Sequence, residues 1–155
     1  MKLVEILPIE NVKVPLEGKT RDEIITELVD IISFSNPLID KNLVLKSVID
    51  REKTMSTGIG KGIAIPHAKS KGVNEIATAL GIAPDGIDFD ALDSQPVYLF
   101  FLIAAPEGPA GPHLHCLSKI SRLLNHDGYR EKLLNCSSAK EALRLVEEGE
   151  REILK

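Results

Sequence analysis

The run Ser56-Thr57-Gly58-Ile59-Gly60-Lys61-Gly62-Ile63-Ala64-Ile65-Pro66-His67 delivers one histidine from a glycine-rich, hydroxyl-flanked loop. Glycines at alternate positions admit positive φ and let backbone N–H groups approach an anion closely. Ile63-Ala64-Ile65 reads as a short buried strand, and Pro66 stiffens its exit, so that His67 is held at a fixed point beside the loop. A ring held in this way suits acceptance of a phosphoryl group: one nitrogen of a neutral imidazole attacks while an acceptor fixes the other N–H. Backbone N–H groups near Gly58, with the hydroxyl of Ser56 or Thr57, are the expected phosphate-binding cradle.

The other histidines are His113, His115 and His126. At about 100° per residue, His113 shares a helix face with Leu117, Ile120 and Leu124, whereas His115 falls among Ser118, Lys119 and Arg122. His113 therefore points inward from a first helical turn, where the positive end of the dipole disfavours an imidazolium. By its spacing alone it is a satisfied core histidine or a partner of His67, and both readings stand. Arg51 lies in Asp50-Arg51-Glu52-Lys53, where a helix C-terminus accounts for an arginine without any site. His126, beside Asp127 in a turn, reads as solvated. Gly58-x-Gly60-x-Gly62 lacks dinucleotide-loop spacing, and Lys61 is not followed by Ser or Thr as in a P-loop. His113-x-His115-Cys116 would diverge on a helix, so no metal and no cofactor are expected.

Elements that must position these residues are legible along the chain. Thr20 with Glu23 forms a capping box ahead of a helix from about Arg21 to Ser33, marked by Ile24, Ile25, Leu28, Val29 and Ile32. After Asn36-Pro37 a second helix should end between Arg51 and Thr54. Ile76 to Ala83 and Val97 to Ala104 read as strands, with Ala83-Pro84-Asp85-Gly86 as a turn between them. Val97 to Ile103 is apolar on both faces, which requires a central strand covered by helices on each side. Helices are expected from His113 to Asn125, from Asp127 to about Leu134, and from Ser138, again with a capping box, to about Glu148. Residues after Gly149 are expected to fray. The fold class is α/β, one domain spanning 1–155 with a mixed β-sheet flanked by helices on both faces.

With 155 residues, 43% of them apolar, the chain can bury a core without staples. A net charge of −4 and the absence of any basic block argue against a nucleic-acid partner. Cys116 and Cys136 have no metal or redox spacing and read as reduced thiols. The longest apolar run, Val97 to Ala105, is far short of the roughly 20 residues that cross a bilayer, and the N-terminus lacks a signal-peptide core. A cytoplasmic protein without membrane insertion is expected.

Taken together, Asp50-Arg51-Glu52-Lys53 and the run from Ser56 through Pro66-His67-Ala68-Lys69 resemble the signature of the enzyme IIA domain of the fructose/mannitol class in the bacterial phosphotransferase system. Ala104-Ala105-Pro106-Glu107-Gly108 and His113-Leu114, leading to Arg122-Leu123-Leu124, resemble that family's second histidine and its helix. The resemblance spans about residues 3 to 148. It implies that His67 is phosphorylated through Nε2 by a histidine-containing phosphocarrier protein and passes the group to a cysteine of a sugar-specific enzyme IIB, without a metal. Arg51 would be the nearby cation and His113 the second active-site histidine; because both partners would be proteins, placement beside His67 makes Ile59, Ile63 and the segment 106–112 the expected docking rim. The proline-rich Gly108-Pro109-Ala110-Gly111-Pro112 departs from the family pattern. The same resemblance also admits a regulatory protein of the nitrogen-related type that binds partners according to its phosphorylation state.

Overall fold

The run from Val97 to Ala105 has too little polar surface to face water, and it becomes the centre of the fold. In the computed structural model, which describes residues 2–109 and 111–154, it forms β6 (Val97–Pro106), paired on both edges. The other strands are β1 (Val12–Lys13), β2 (Gly58–Gly60), β3 (Ile63–Ala64), β4 (His67–Ser70) and β5 (Ala77–Ile87). The helices are α1 (Leu3–Ile6), α2 (Arg21–Ser35), α3 (Lys41–Thr54), α4 (Gly111–Leu124), α5 (Asp127–Leu134) and α6 (Ala139–Glu152). The sheet is six-stranded, mixed and open, in the order β1-β5-β6-β3-β2 with β4 also on β6. This is the expected α/β arrangement.

Side chains of a strand alternate between its faces, and β6 divides them between two cores. Leu99, Phe101 and Ile103 pack with Cys116, Ile120 and Leu124 of α4 and with Val146 of α6. Phe100, Leu102 and Ala104 pack with Ile25, Leu28 and Ile32 of α2 and Val44 and Val48 of α3. Both expected capping boxes form: Thr20 accepts the N–H of Glu23 at the start of α2 and Ser138 that of Glu141 at the start of α6, both at 3.2 Å.

One feature positions the site above all. β3 and β4 run parallel to β6 in a common register, Ile63 opposite Leu99 and His67 opposite Ile103. They are one strand interrupted at Pro66, which has no N–H to donate but whose carbonyl accepts from the N–H of Ile103 at 2.9 Å. His67 thus begins β4 at a fixed height on the sheet.

Two expectations are corrected. Pro84-Asp85-Gly86 is not the connection between the long strands. It lies inside β5 where the pairing shifts register between Ile82 and Ile87, and the connection to β6 comes later, over residues 88–96. Turn chemistry serves equally to let a strand bulge. Nor does the chain loosen after Gly149, because α6 continues to Glu152. The Glu150 carboxylate accepts the N–H groups of Leu3 at 2.7 Å and Val4 at 3.1 Å, tying α6 to the first turn of α1. Charge-assisted bonds of this kind contribute roughly 1.5–3 kcal/mol, so Glu150→Ala is expected to lower unfolding free energy by about 2 kcal/mol in urea titration. The exposed neighbour change Glu147→Ala should have little effect.

Candidate active site

His67 is half-buried at the start of β4, and its Nδ1 lies 2.7 Å from the carbonyl oxygen of Ile65. A carbonyl can only accept, so Nδ1 carries the proton and Nε2 keeps its lone pair. Ile65 is itself held, since its N–H donates to Thr57 O at 3.1 Å. Burial, with a smaller contribution from the Arg51 charge, depresses the ring's pKa below the usual histidine value despite the opposing bond to Ile65. The ring is neutral and nucleophilic near pH 7.

His113 stands third in α4 and faces His67, the ring centroids 5.4 Å apart and tilted by 42°. Its Nε2 is buried with no hydrogen-bond partner among the described residues. Burial first, then the proximity of His67 and Lys69, lowers its pKa too. The fold thus sets the two rings against each other, with His113 in the first turn of α4 and His67 at the start of β4. His115 is exposed, as helical phase requires, and exposed His126 caps α5 without a side-chain bond.

Arg51 occupies the last turn of α3 and donates from Nη1 to Met55 O at 2.7 Å. This bond curls the guanidinium over the exit of its own helix, within electrostatic range of His67. Three distant segments, at 51, 67 and 113, therefore meet at one place.

The expected cradle residues have other partners. Thr57 donates its N–H to Glu52 Oε2 and its hydroxyl to Glu52 Oε1, each at 2.6 Å. Ser56 donates its hydroxyl to Phe89 O and accepts the N–H of Gly58, each at 3.0 Å. In this state all three hold the loop rather than offer free donors. Gly58 is required for space, since a Cβ there would lie 2.8 Å from that of Ala91, while Gly60 and Gly62 supply the positive φ of 99° and 78°. Ile59 is exposed, as a rim residue should be, but Ile63 is fully buried in the α4-side core and takes no part in a rim. Of the segment 106–112, Ala110 lies outside the described residues, and the others are exposed except Pro106, which is half-buried.

Glu52 is the residue that sequence reasoning missed. Only 2% exposed, it ties the end of α3 to Thr57, whose carbonyl holds Ile65, whose carbonyl holds His67. In the charge run Asp50-Arg51-Glu52-Lys53 nothing but its place beside Arg51 set it apart from a solvated acid. Glu52→Gln replaces one acceptor oxygen by a donor and leaves a Thr57 donor unmatched, an expected loss of about 1–3 kcal/mol of stability. Urea unfolding should show that loss, with none for the exposed Lys53→Gln.

Comparison with known proteins identifies the family of this fold. The family described as phosphoenolpyruvate-dependent sugar phosphotransferase system, EIIA 2, matches residues 5–149. The fructose-specific EIIABC component of Bacillus subtilis (strain 168) is 37% identical over 151 residues, 97% of this chain, which spans only 24% of that relative's length. The fructose-specific EIIA component of Haloferax volcanii is 37% identical over 133 residues, covering 86% of each chain. The crystal structure of the nitrogen regulatory protein IIA-Ntr from Neisseria meningitidis matches with a TM-score of 0.85 and 32% identity, over 93% of this chain and 98% of that one. A histidine with a free Nε2, a facing histidine and an arginine thus stand in a chain that belongs to the EIIA 2 family of the sugar phosphotransferase system.

Proposed function

We propose that this chain is a phosphocarrier that takes a phosphoryl group on His67 Nε2 from a histidine-containing phosphocarrier protein. It then passes the group to a cysteine of a sugar-specific enzyme IIB in the uptake of a fructose-like sugar. The observation that carries this reading is the Nδ1–H bond to Ile65, which leaves Nε2 free beside His113 and Arg51. In the first step the Nε2 lone pair forms a bond to phosphorus as the donor's N–P bond breaks, its electron pair returning to the donor ring. In the second step a cysteine thiolate displaces Nε2 in the same sense. Neither step needs a net proton transfer at His67, because Nδ1 keeps its proton throughout.

Little covalent chemistry falls to the protein in such a transfer beyond alignment and charge stabilisation. Arg51 supplies a fork of donors to the equatorial oxygens, and the neutral His113 donates to them without repelling the incoming phosphorus. Residues of the chain do this without a metal, in the cytoplasm where both protein partners would meet it. No helix among the described residues is long and apolar enough to cross a membrane. A regulatory role of the nitrogen-related type is favoured by the likeness to the Neisseria protein. Transfer of label from this chain to a sugar-specific IIB cysteine supports the transport reading, and a stable phosphoprotein that no such IIB discharges supports the regulatory one.

Incubation with labelled phosphocarrier should give an acid-labile, alkali-stable phosphohistidine in the wild type and none in His67→Ala; a label on His67→Ala would overturn the assignment. Arg51→Ala should fold normally and lose about a hundredfold in transfer rate. The pKa of His67 is lowered on folding, so as pH falls the unfolded chain takes up its proton first, from about pH 6.5. Stability should accordingly decline below that pH and level off beneath the folded pKa, with a smaller decline in His67→Gln. An imidazole NMR titration of His67 should show its midpoint below the ordinary histidine value.

A further inference from the structure

Lys69 follows His67 by two residues on β4, so the two side chains leave the same face of the strand, about 7 Å apart at their bases. The intervening Ala68 and the following Ser70 are buried on the other face. Lys69 Nζ donates to the carbonyl oxygen of Gly108 at 2.8 Å. Among the described residues no carboxylate pairs with it. Gly108 lies in the exposed segment joining β6 to α4, and its φ of 131° faces open space, with no atom within 4 Å of a Cβ placed there. The Lys69 charge also reaches His113, whose ring lies against that of His67. A cation is thus held on one neutral carbonyl, two residues from His67 on the same strand face.

We propose that Lys69 binds the phosphoryl group once it is on His67 and, in doing so, releases Gly108, so that the rim leading to His113 differs between the free and phosphorylated protein. The inference rests on His67 as the phosphoryl acceptor. A phosphoryl group brings close to two negative charges, and its oxygens form stronger bonds with an ammonium than a neutral carbonyl does. The side chain needs only to swing along its own strand face to exchange one acceptor for the other. Water replaces it on the exposed Gly108 carbonyl at little cost. A partner that delivers the group and a partner that removes it would then meet different loops beside the same histidine.

The test uses isotope-labelled protein and phosphoramidate, whose P–N bond breaks with loss of ammonia as the Nε2–P bond forms. In the wild type, phosphorylation should shift both the Lys69 Nζ resonance and the Gly108 carbonyl carbon. In Lys69→Met the Gly108 carbonyl should already stand at the phosphorylated position and stay there on phosphorylation, while Lys69→Arg behaves as the wild type. The rate of His67 phosphorylation should fall about tenfold in Lys69→Met and little in Lys69→Arg. Unmoved Nζ and Gly108 signals in a wild type that has gained the mass of one phosphoryl group on His67 would overturn the proposal alone, as would an equal Gly108 shift in phosphorylated Lys69→Met. A wild type that gains no phosphoryl group on His67 would remove the acceptor reading and this inference with it.

Discussion

The hydrogen bond from His67 Nδ1 to the carbonyl of Ile65 is the interaction on which the site depends. It converts a histidine from a ring with two interchangeable nitrogens into one with a defined tautomer and a single nucleophilic atom. The bond exists because residues 63–70 run along β6 in one register while Pro66 breaks the ladder between β3 and β4. Ile65 is pinned in turn by Thr57, and Thr57 by the buried Glu52 at the end of α3. A single chain of short polar bonds therefore links the helix that carries Arg51 to the ring of His67.

The surrounding electrostatics follow from the same placement. Two imidazoles in ring contact would repel if both were charged, and burial lowers the proton affinity of each. Cations nearby reinforce that neutrality, and under the proposed function they would stabilise the phosphoryl oxygens. Arg51 is held by a backbone carbonyl rather than by a carboxylate, so its positive charge is not cancelled locally. Under the proposed function the site is arranged in advance for an incoming negative charge, with His67 and Arg51 already held by backbone carbonyls.

Much of the scaffold was legible because it rests on local rules. Thr20 and Ser138 cap helices where capping boxes occur, and the two-sided apolar run at 97–105 can only be a covered central strand. The inward phase of His113 and outward phase of His115 followed from the helical period. What failed were features whose meaning depends on distant partners. Pro84-Asp85-Gly86 has turn chemistry, yet β6 continues to pair past it and makes it a bulge. The charged tail after Gly149 looks solvated until Glu150 meets the N–H groups of Leu3 and Val4. Ser56 and Thr57 look like free hydroxyls until Phe89 and Glu52 take them.

By itself the sequence singled out His67 as a residue that could carry chemistry, because glycine and proline fix the conformation around it, whereas Arg51 and His113 gained a role only through the family resemblance. It also determined the layered α/β class, since hydrophobic period and capping are properties of short windows. Only the tertiary structure decided that the three residues meet, which nitrogen of His67 is free, and that Glu52 and Lys69 belong to the same neighbourhood. Those outcomes depend on strand register and on burial, which arise when segments far apart in the chain are packed against β6 and have no signature within any one of them.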